Sequence, residues 1–227
     1  MKKTVLLIRN AAPNDFGGAE TYPVSLAHIL ADKGWHPIIV TASEKLSRYA
    51  GDNNIQTVQG KWLRKQNFTG RRTIRIPFYF FWQLYLTFWY IGIIKKTKAQ
   101  TIHIQSRDDF IAASIAGRIL RKKVIWTDHM DLRYVFENIA KPGRNLVGKL
   151  VYWVTRFADT IILISDNEHR LVTSQFKNPH ALDNKITIIK NGVVDKLADT
   201  PYIPHDDFIF STVSRVVRNK GIGEVID

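Results

Sequence analysis

The sequence predicts an α/β protein: a Rossmann-like parallel sheet with helices on both faces. Three observations lead there. Short runs rich in Val, Ile and Thr recur along the chain. Helix-length segments separate them, which is the alternation of βαβ units. Several runs, VLLI and TIILI among them, are apolar at almost every position, as strands covered on both faces are.

Taken in order, the first strand is Val5–Ile8. The start, MKKTVLLIRN, is broken by Arg9 after four apolar residues, too short a run for a signal-peptide core, and reads as a strand of a cytoplasmic protein. The stretch FGGAET follows, with Gly17 and Gly18 between strand and helix. Two readings stand at this point: a tight turn that needs glycine, or a helix start whose amides face an anion. A helix over Val24–Lys33 ends at Gly34, and further strands are expected at Ile38–Thr41 and Thr73–Ile76.

The segment Ile76–Lys98 is apolar almost all round, and its uncharged part, Phe78–Ile94, is seventeen residues long. That is at the short limit for crossing a bilayer. The strands expected on either side, Thr73–Ile76 and Thr101–Gln105, should belong to one sheet and cannot lie on opposite sides of a membrane. Three readings are left: a buried helix, an interfacial helix, or a hydrophobic acceptor groove.

Strand Thr101–Gln105 places His103 and Gln105 on one face, since side chains alternate. A helix over Phe110–Leu120 leads to strand Val124–Thr127, at whose carboxyl end stand Asp128 and His129. In such sheets ligands lie at this edge, where the pair is suited to hold hydroxyls or move a proton; a polar loop without chemistry is the alternative. After strand Thr160–Ile164, Ser165 and Glu168 make a capping-box pattern, with which a substrate contact by Ser165 is compatible. Strand Ile186–Ile189 leads into the turn Lys190–Asn191–Gly192. Residues 1–199 thus read as one domain and TPYIPHDD (200–207) as a linker. Residues 208–227 read as the first strand and helix start of a second, truncated Rossmann-like domain. There Arg215 and Lys220 flank a helix start in the way that suits a pyrophosphate, with a solvated basic loop as the alternative.

Composition narrows the partners. At 227 residues with 45% hydrophobic content, the chain has a core to bury. The absence of cysteine excludes disulfides and thiolate metal sites. The net charge is +13, and the stretch between Asp52 and Asp108 carries ten Lys and Arg and no acid. A field of this kind calls for an anionic partner: a membrane surface, a nucleic acid or a phosphorylated substrate. Nucleic acid is disfavoured, because no RNA-recognition signature, finger spacing or helix-turn-helix context is present.

The order GGAE, a histidine after a mid-chain strand, ISDNEHR, IIKNGVVD and SRVVRNKG resembles the retaining glycosyltransferase family 4, which has the GT-B fold. The resemblance runs over essentially the whole chain: an acceptor-side N-terminal domain and the first step of the donor-side domain. It implies a transferase that moves a sugar from a nucleotide-sugar donor to a lipid-linked or envelope-polysaccharide acceptor, with no metal and no further cofactor. By the same resemblance Gly17 and Gly18 face the donor phosphates. His129 lines the transferred-sugar pocket, and Arg215 and Lys220 hold the departing diphosphate. His103, Asp128, Ser165 and Asn191 are the further candidates for substrate contact.

Three features depart from the family pattern. Gln105 stands where a second histidine is common, NGVVD carries an extra valine, and Ser214 replaces a frequent glycine. The family's paired glutamates, seven residues apart, would fall beyond Asp227, so the chain alone is expected to be inactive. The aromatic, basic segment suggests peripheral attachment to the cytoplasmic face of the plasma membrane. The alternatives are a sugar-nucleotide epimerase of the same fold, and a non-catalytic fragment that binds acceptor or membrane.

Overall fold

Seven short strands pair side by side in the computed structural model, which describes residues 2–13, 16–62, 76–129, 146–173 and 182–192. They are β1 (Lys3–Ile8), β2 (Trp35–Thr41), β3 (Gln56–Gln59), β4 (Thr101–Ile104), β5 (Lys123–Asp128), β6 (Thr160–Leu163) and β7 (Ile186–Ile188). The sheet order is β3-β2-β1-β4-β5-β6-β7, and every pairing is parallel. The described helices are α1 (Gly18–Asp32), α2 (Glu44–Asp52), α3 (Ile76–Thr97), α4 (Phe110–Ile119), α5 (Leu146–Val154) and α6 (Asp166–Thr173). This is the doubly covered Rossmann-like sheet expected from the alternation.

The period of two along each strand divides the core. Val5 and Leu7 of β1 pack with Ile39, with Val24 and Ala27 of α1, and with Leu46 and Ala50 of α2. Leu6 and Ile8 face the other way, among Ile102, Trp126 and residues of α3, α4 and α5. A slip of one residue would exchange these two sets, so two-sided burial holds the register. At the far side Lys185 donates from Nζ to the carbonyls of Thr155, Arg156 and Ala158 at 3.2, 3.0 and 2.9 Å. Those carbonyls sit in the turn that continues α5, where a cation suits the helix end.

Two expectations need correction. Ile76 opens α3 instead of closing a strand, and Thr73–Arg75 lie outside the described residues. A strand that was not expected lies earlier, at Gln56–Gln59. Its sequence QTVQ lacks an apolar run because β3 is the last strand in the sheet order, with no neighbour on one side and incomplete burial. Helix α1 also starts six residues before Val24, running through Pro23. Pro23 is buried, and packing there outweighs the hydrogen bond that proline removes.

The aromatic segment forms α3, and its topology bears on the readings left open for it. Strands β3 and β4, before and after it in the chain, share one sheet. No described helix is long and apolar enough to cross a membrane. One side of α3, with Leu86, Tyr90 and Ile94, lies in the core, while Phe78, Phe81, Leu84, Tyr85 and Phe88 are exposed. The chain divides into two compact units, Met1–Asn191 and Gly192–Asp227. The expected linker and second domain lie outside the described residues.

Candidate active site

The strand order reverses between β1 and β4, and each chain leaving the carboxyl edge there carries polar side chains. This is the topological switch point at which open α/β sheets bind ligands. From β1 come Arg9 and Asn10, from β4 Gln105, Ser106 and Arg107, and from β5 Asp128 and His129. Helix α1 starts nearby at Gly17 and Gly18.

A buried network ties the ends of β1 and β4 together. The Asn10 N–H donates to Ser106 Oγ at 3.0 Å, and Ser106 Oγ donates to Asp109 Oδ2 at 2.7 Å. Tyr90 of α3 donates its hydroxyl to Asp109 Oδ1 at 2.6 Å. Burial pushes the Asp109 carboxyl up to about 7, against the opposing effect of the hydrogen bonds it accepts from Tyr90 and Ser106. Asp109 therefore holds a proton more readily than an ordinary carboxyl and helps close the base of the site.

Above this base, Arg9 donates to Glu20 Oε1 from Nε at 3.2 Å and from Nη2 at 2.6 Å, and from Nη1 to the Gln105 carbonyl at 2.9 Å. The first turn of α1 is thereby held against both central strands. Asp128 is held in the same manner: Arg107 donates from Nε and Nη2 to its two oxygens at 2.9 and 2.5 Å. With its side chain only 5% exposed, this carboxylate has its charge met by a fork of two donors.

The two glycines behave differently from turn glycines. Gly17 has φ −175°, an extended conformation open to any residue, and Gly34 is the only described glycine in the left-handed region. A Cβ on Gly18 would meet nothing among the described residues within 4 Å, and one on Gly17 would only touch Glu20 Oε2 at 3.4 Å. Backbone geometry does not call for glycine at either position. Of the two readings, the tight turn finds no support in the backbone angles of these two residues.

His129 follows β5 and packs edge-on against Tyr22 of α1, with ring centroids 4.5 Å apart. Burial and the Arg9 charge lower its pKa, with Asp128 and Glu20 opposing, so the imidazole is neutral at neutral pH. Its Nε2 is buried and without a hydrogen-bond partner among the described residues. So are both amide atoms of Gln105. Asn10 Oδ1 is a fourth such atom; buried polar groups are rarely left unpaired, and these atoms at the switch point suit a ligand rich in hydroxyls.

The remaining candidates divide. His103 shares the face of Gln105 but is buried within the sheet, bonded through Nε2 to Thr127 Oγ1 at 2.7 Å. Burial, reinforced by His129, pushes it down to about 4. Ser165 caps α6, its Oγ accepting from the Glu168 N–H at 3.1 Å, and Glu168 reaches back to the Ile164 N–H at 3.1 Å. This is the predicted capping box, displaced by one residue on its return arm. Asn191 is exposed beyond β7. Ser165 and Asn191 thus sit one and two strands beyond His129, while Arg215 and Lys220 lie outside the described residues.

Sequence reasoning missed Arg9, Tyr22 and Arg107 as site residues, and named Gln105 only as the face-mate of His103 and a departure from the family pattern. Arg9 and Gln105 each stand immediately after a strand, a position that could have marked them. Nothing local pairs Arg107 with Asp128.

Residues 16–196 match the model of Glycosyltransferase Family 4. The chain belongs to that family. Among solved structures it is similar to a glycosyltransferase from Rickettsia africae at 20% identity, with a TM-score of 0.57, covering 85% of this chain and 44% of that one. Anabaena HepE in complex with UDP and glucose matches at 16% identity and TM-score 0.53, covering 83% and 44%. A Listeria monocytogenes protein assigned as a UDP-N-acetylglucosamine 2-epimerase matches at 13% identity and TM-score 0.51, covering 82% and 44%. At these identities the likeness is one of fold. The family 4 chain spans less than half the length of each of these three structures. No curated protein matches it.

Proposed function

We propose that the family 4 chain takes part in transfer of a sugar from a nucleotide-sugar donor to a lipid-linked or envelope-polysaccharide acceptor, with retention of anomeric configuration. One observation carries the reading. Unpartnered, buried hydrogen-bonding atoms of Gln105 and His129 lie at the switch point, beside a helix start whose glycines the backbone does not need. Neutral amide and imidazole groups match sugar hydroxyls in kind, and bare amides at a helix N-terminus match a phosphate. A neutral His129 both donates and accepts, as orientation of a hydroxyl requires. The complex of Anabaena HepE with UDP and glucose lends support to this ligand class. Arg215 and Lys220 are assigned to the departing diphosphate by their family motif alone, and with two cations in that role the reaction is proposed to need no metal.

The test is product analysis with labelled UDP-sugars, in the presence and absence of membrane lipid extract, on this chain joined to a family 4 donor-side domain that supplies the paired glutamates, since the chain alone is expected to be inactive. Label should move to an acceptor only when acceptor is supplied, at a rate unchanged by EDTA. His129→Ala should lower that rate roughly a hundredfold, the low end for loss of a positioned histidine, without loss of fold by circular dichroism. The epimerase reading shares the fold of the Listeria protein. A changed sugar still attached to its nucleotide, formed without acceptor, would establish that reading and overturn ours.

A further inference from the structure

We infer that the outer face of α3 is a docking surface for an anionic lipid bilayer. The inference goes beyond the transfer reaction and rests on surface features remote from Gln105 and His129.

Ten large apolar side chains are exposed among the described residues, and five of them, Phe78, Phe81, Leu84, Tyr85 and Phe88, belong to this one helix. Their spacing puts them on one stripe, because residues three, four and seven apart share a helix face. Phe81 and Phe88 are 71% and 65% exposed. The same stripe runs on through Gly92 to the exposed Lys95 and Lys96. Beyond its end lies a cavity of about 480 Å³ lined by Ile94, Lys95, Lys98, Gln100, Leu120 and Lys122. Arg118, Arg121 and Lys123 border a second one of about 640 Å³.

The arrangement selects its occupant. A helix that lies in a membrane interface sinks aromatic and aliphatic side chains below the headgroups and extends lysines to the phosphates at its rim. A second copy of the chain would bring one +13 body against another. A single-stranded nucleic acid needs cations interleaved with stacking rings along a groove; here they gather at one end of the stripe. The inner side of α3 is fastened to the loop after β4, where Gln83 donates to the Asp108 carbonyl at 3.0 Å and Tyr90 bonds Asp109. The aromatic start of α3 is thus joined to the loop after β4 that carries part of the candidate site, while Lys95 and Lys98 lie toward the amino edge of the sheet, beside Gln100.

Vesicle flotation of the 227-residue chain tests this without any donor or turnover, so it fails or succeeds independently of the transfer reading. The chain should float with vesicles of phosphatidylcholine and phosphatidylglycerol, and at least about tenfold less with phosphatidylcholine alone. The double variant Phe81→Ser, Phe88→Ser should lose flotation while keeping its circular dichroism. Lys95→Glu with Lys98→Glu should abolish the preference for anionic vesicles. Ile29→Ser, which alters an exposed apolar residue of α1, should change nothing. Equal flotation on both vesicles, flotation on neither, or a serine double variant that floats like the parent chain would overturn the inference. So would sedimentation showing a dimer that the serine variant dissolves.

Discussion

Asp109 and His103 are both buried, one before α4 and the other within β4, and burial displaces their protons in opposite directions. The Asp109 carboxyl is pushed up to about 7 and the His103 imidazole down to about 4. Between roughly pH 4 and 7 the folded chain keeps a proton on Asp109 that the unfolded chain has lost, so this residue contributes less stability as pH rises. Between roughly pH 6.5 and 4 the unfolded chain takes a proton on His103 that the folded chain refuses, so that contribution falls as pH falls. The two slopes oppose one another, and the parent chain should be nearly flat where single variants are not. Urea midpoints across this range should fall toward acid for Asp109→Asn and toward neutrality for His103→Gln. Slopes of the same sign in both variants would contradict the assignment. Arg107 presents a separate residue-scale case. Arg107→Ala strands Asp128, a nearly buried carboxylate, without its fork of donors, and should destabilise the fold by about 3 kcal/mol in chemical denaturation.

At the scale of the element, α4 shows how closely a helix can be fitted to the sheet. All but a few of its side chains are buried, Phe110 stacks on Trp126 at 4.2 Å, and the indole N–H donates to Ser114 Oγ at 2.8 Å. Gly117 lies where a Cβ would come within 2.5 Å of Val124 Cγ2 and 2.9 Å of Ile102 Cδ1. The neighbours are branched side chains of two strands, with little freedom to retreat. Gly117→Ala should therefore cost about 2 kcal/mol by overpacking, despite alanine's better helix propensity, a loss readable as a lower melting temperature. Helix α3 carries the opposite lesson. Its sequence is apolar on nearly every side, and periodicity could not say which side was the core. Only the sheet, by taking Leu86, Tyr90 and Ile94, left the phenylalanines outside.

For the whole molecule, the charge of +13 acts over distances that single contacts do not. If the field draws the chain to an anionic surface, flotation with phosphatidylglycerol vesicles should weaken as sodium chloride is raised, because the Debye length shrinks. Flotation insensitive to salt would leave only the apolar stripe at work. Much of the architecture was legible beforehand. Strands buried on both faces favour apolar runs, and six of the seven described strands were expected from short apolar or β-branched runs. The seventh, Gln56–Gln59, is polar because an edge strand has less to bury. The place of His129 at a strand's carboxyl end was legible for the same reason, since a β-to-α turn leaves a short polar mark. The partnership of Arg9 with Glu20, or of Arg107 with Asp128, was not, because neither pairing leaves a local pattern.

The sequence by itself thus determined the class of fold, the likeness to a family of sugar transferases and the position of His129 after the carboxyl end of a strand. Each follows from local spacing, apolar period or motif order. Tertiary structure alone decided which buried polar atoms have partners, that Gly17 and Gly18 are free of backbone need, and which flank of α3 faces water. Those depend on segments far apart in the chain meeting in space, and only the folded packing brings them together.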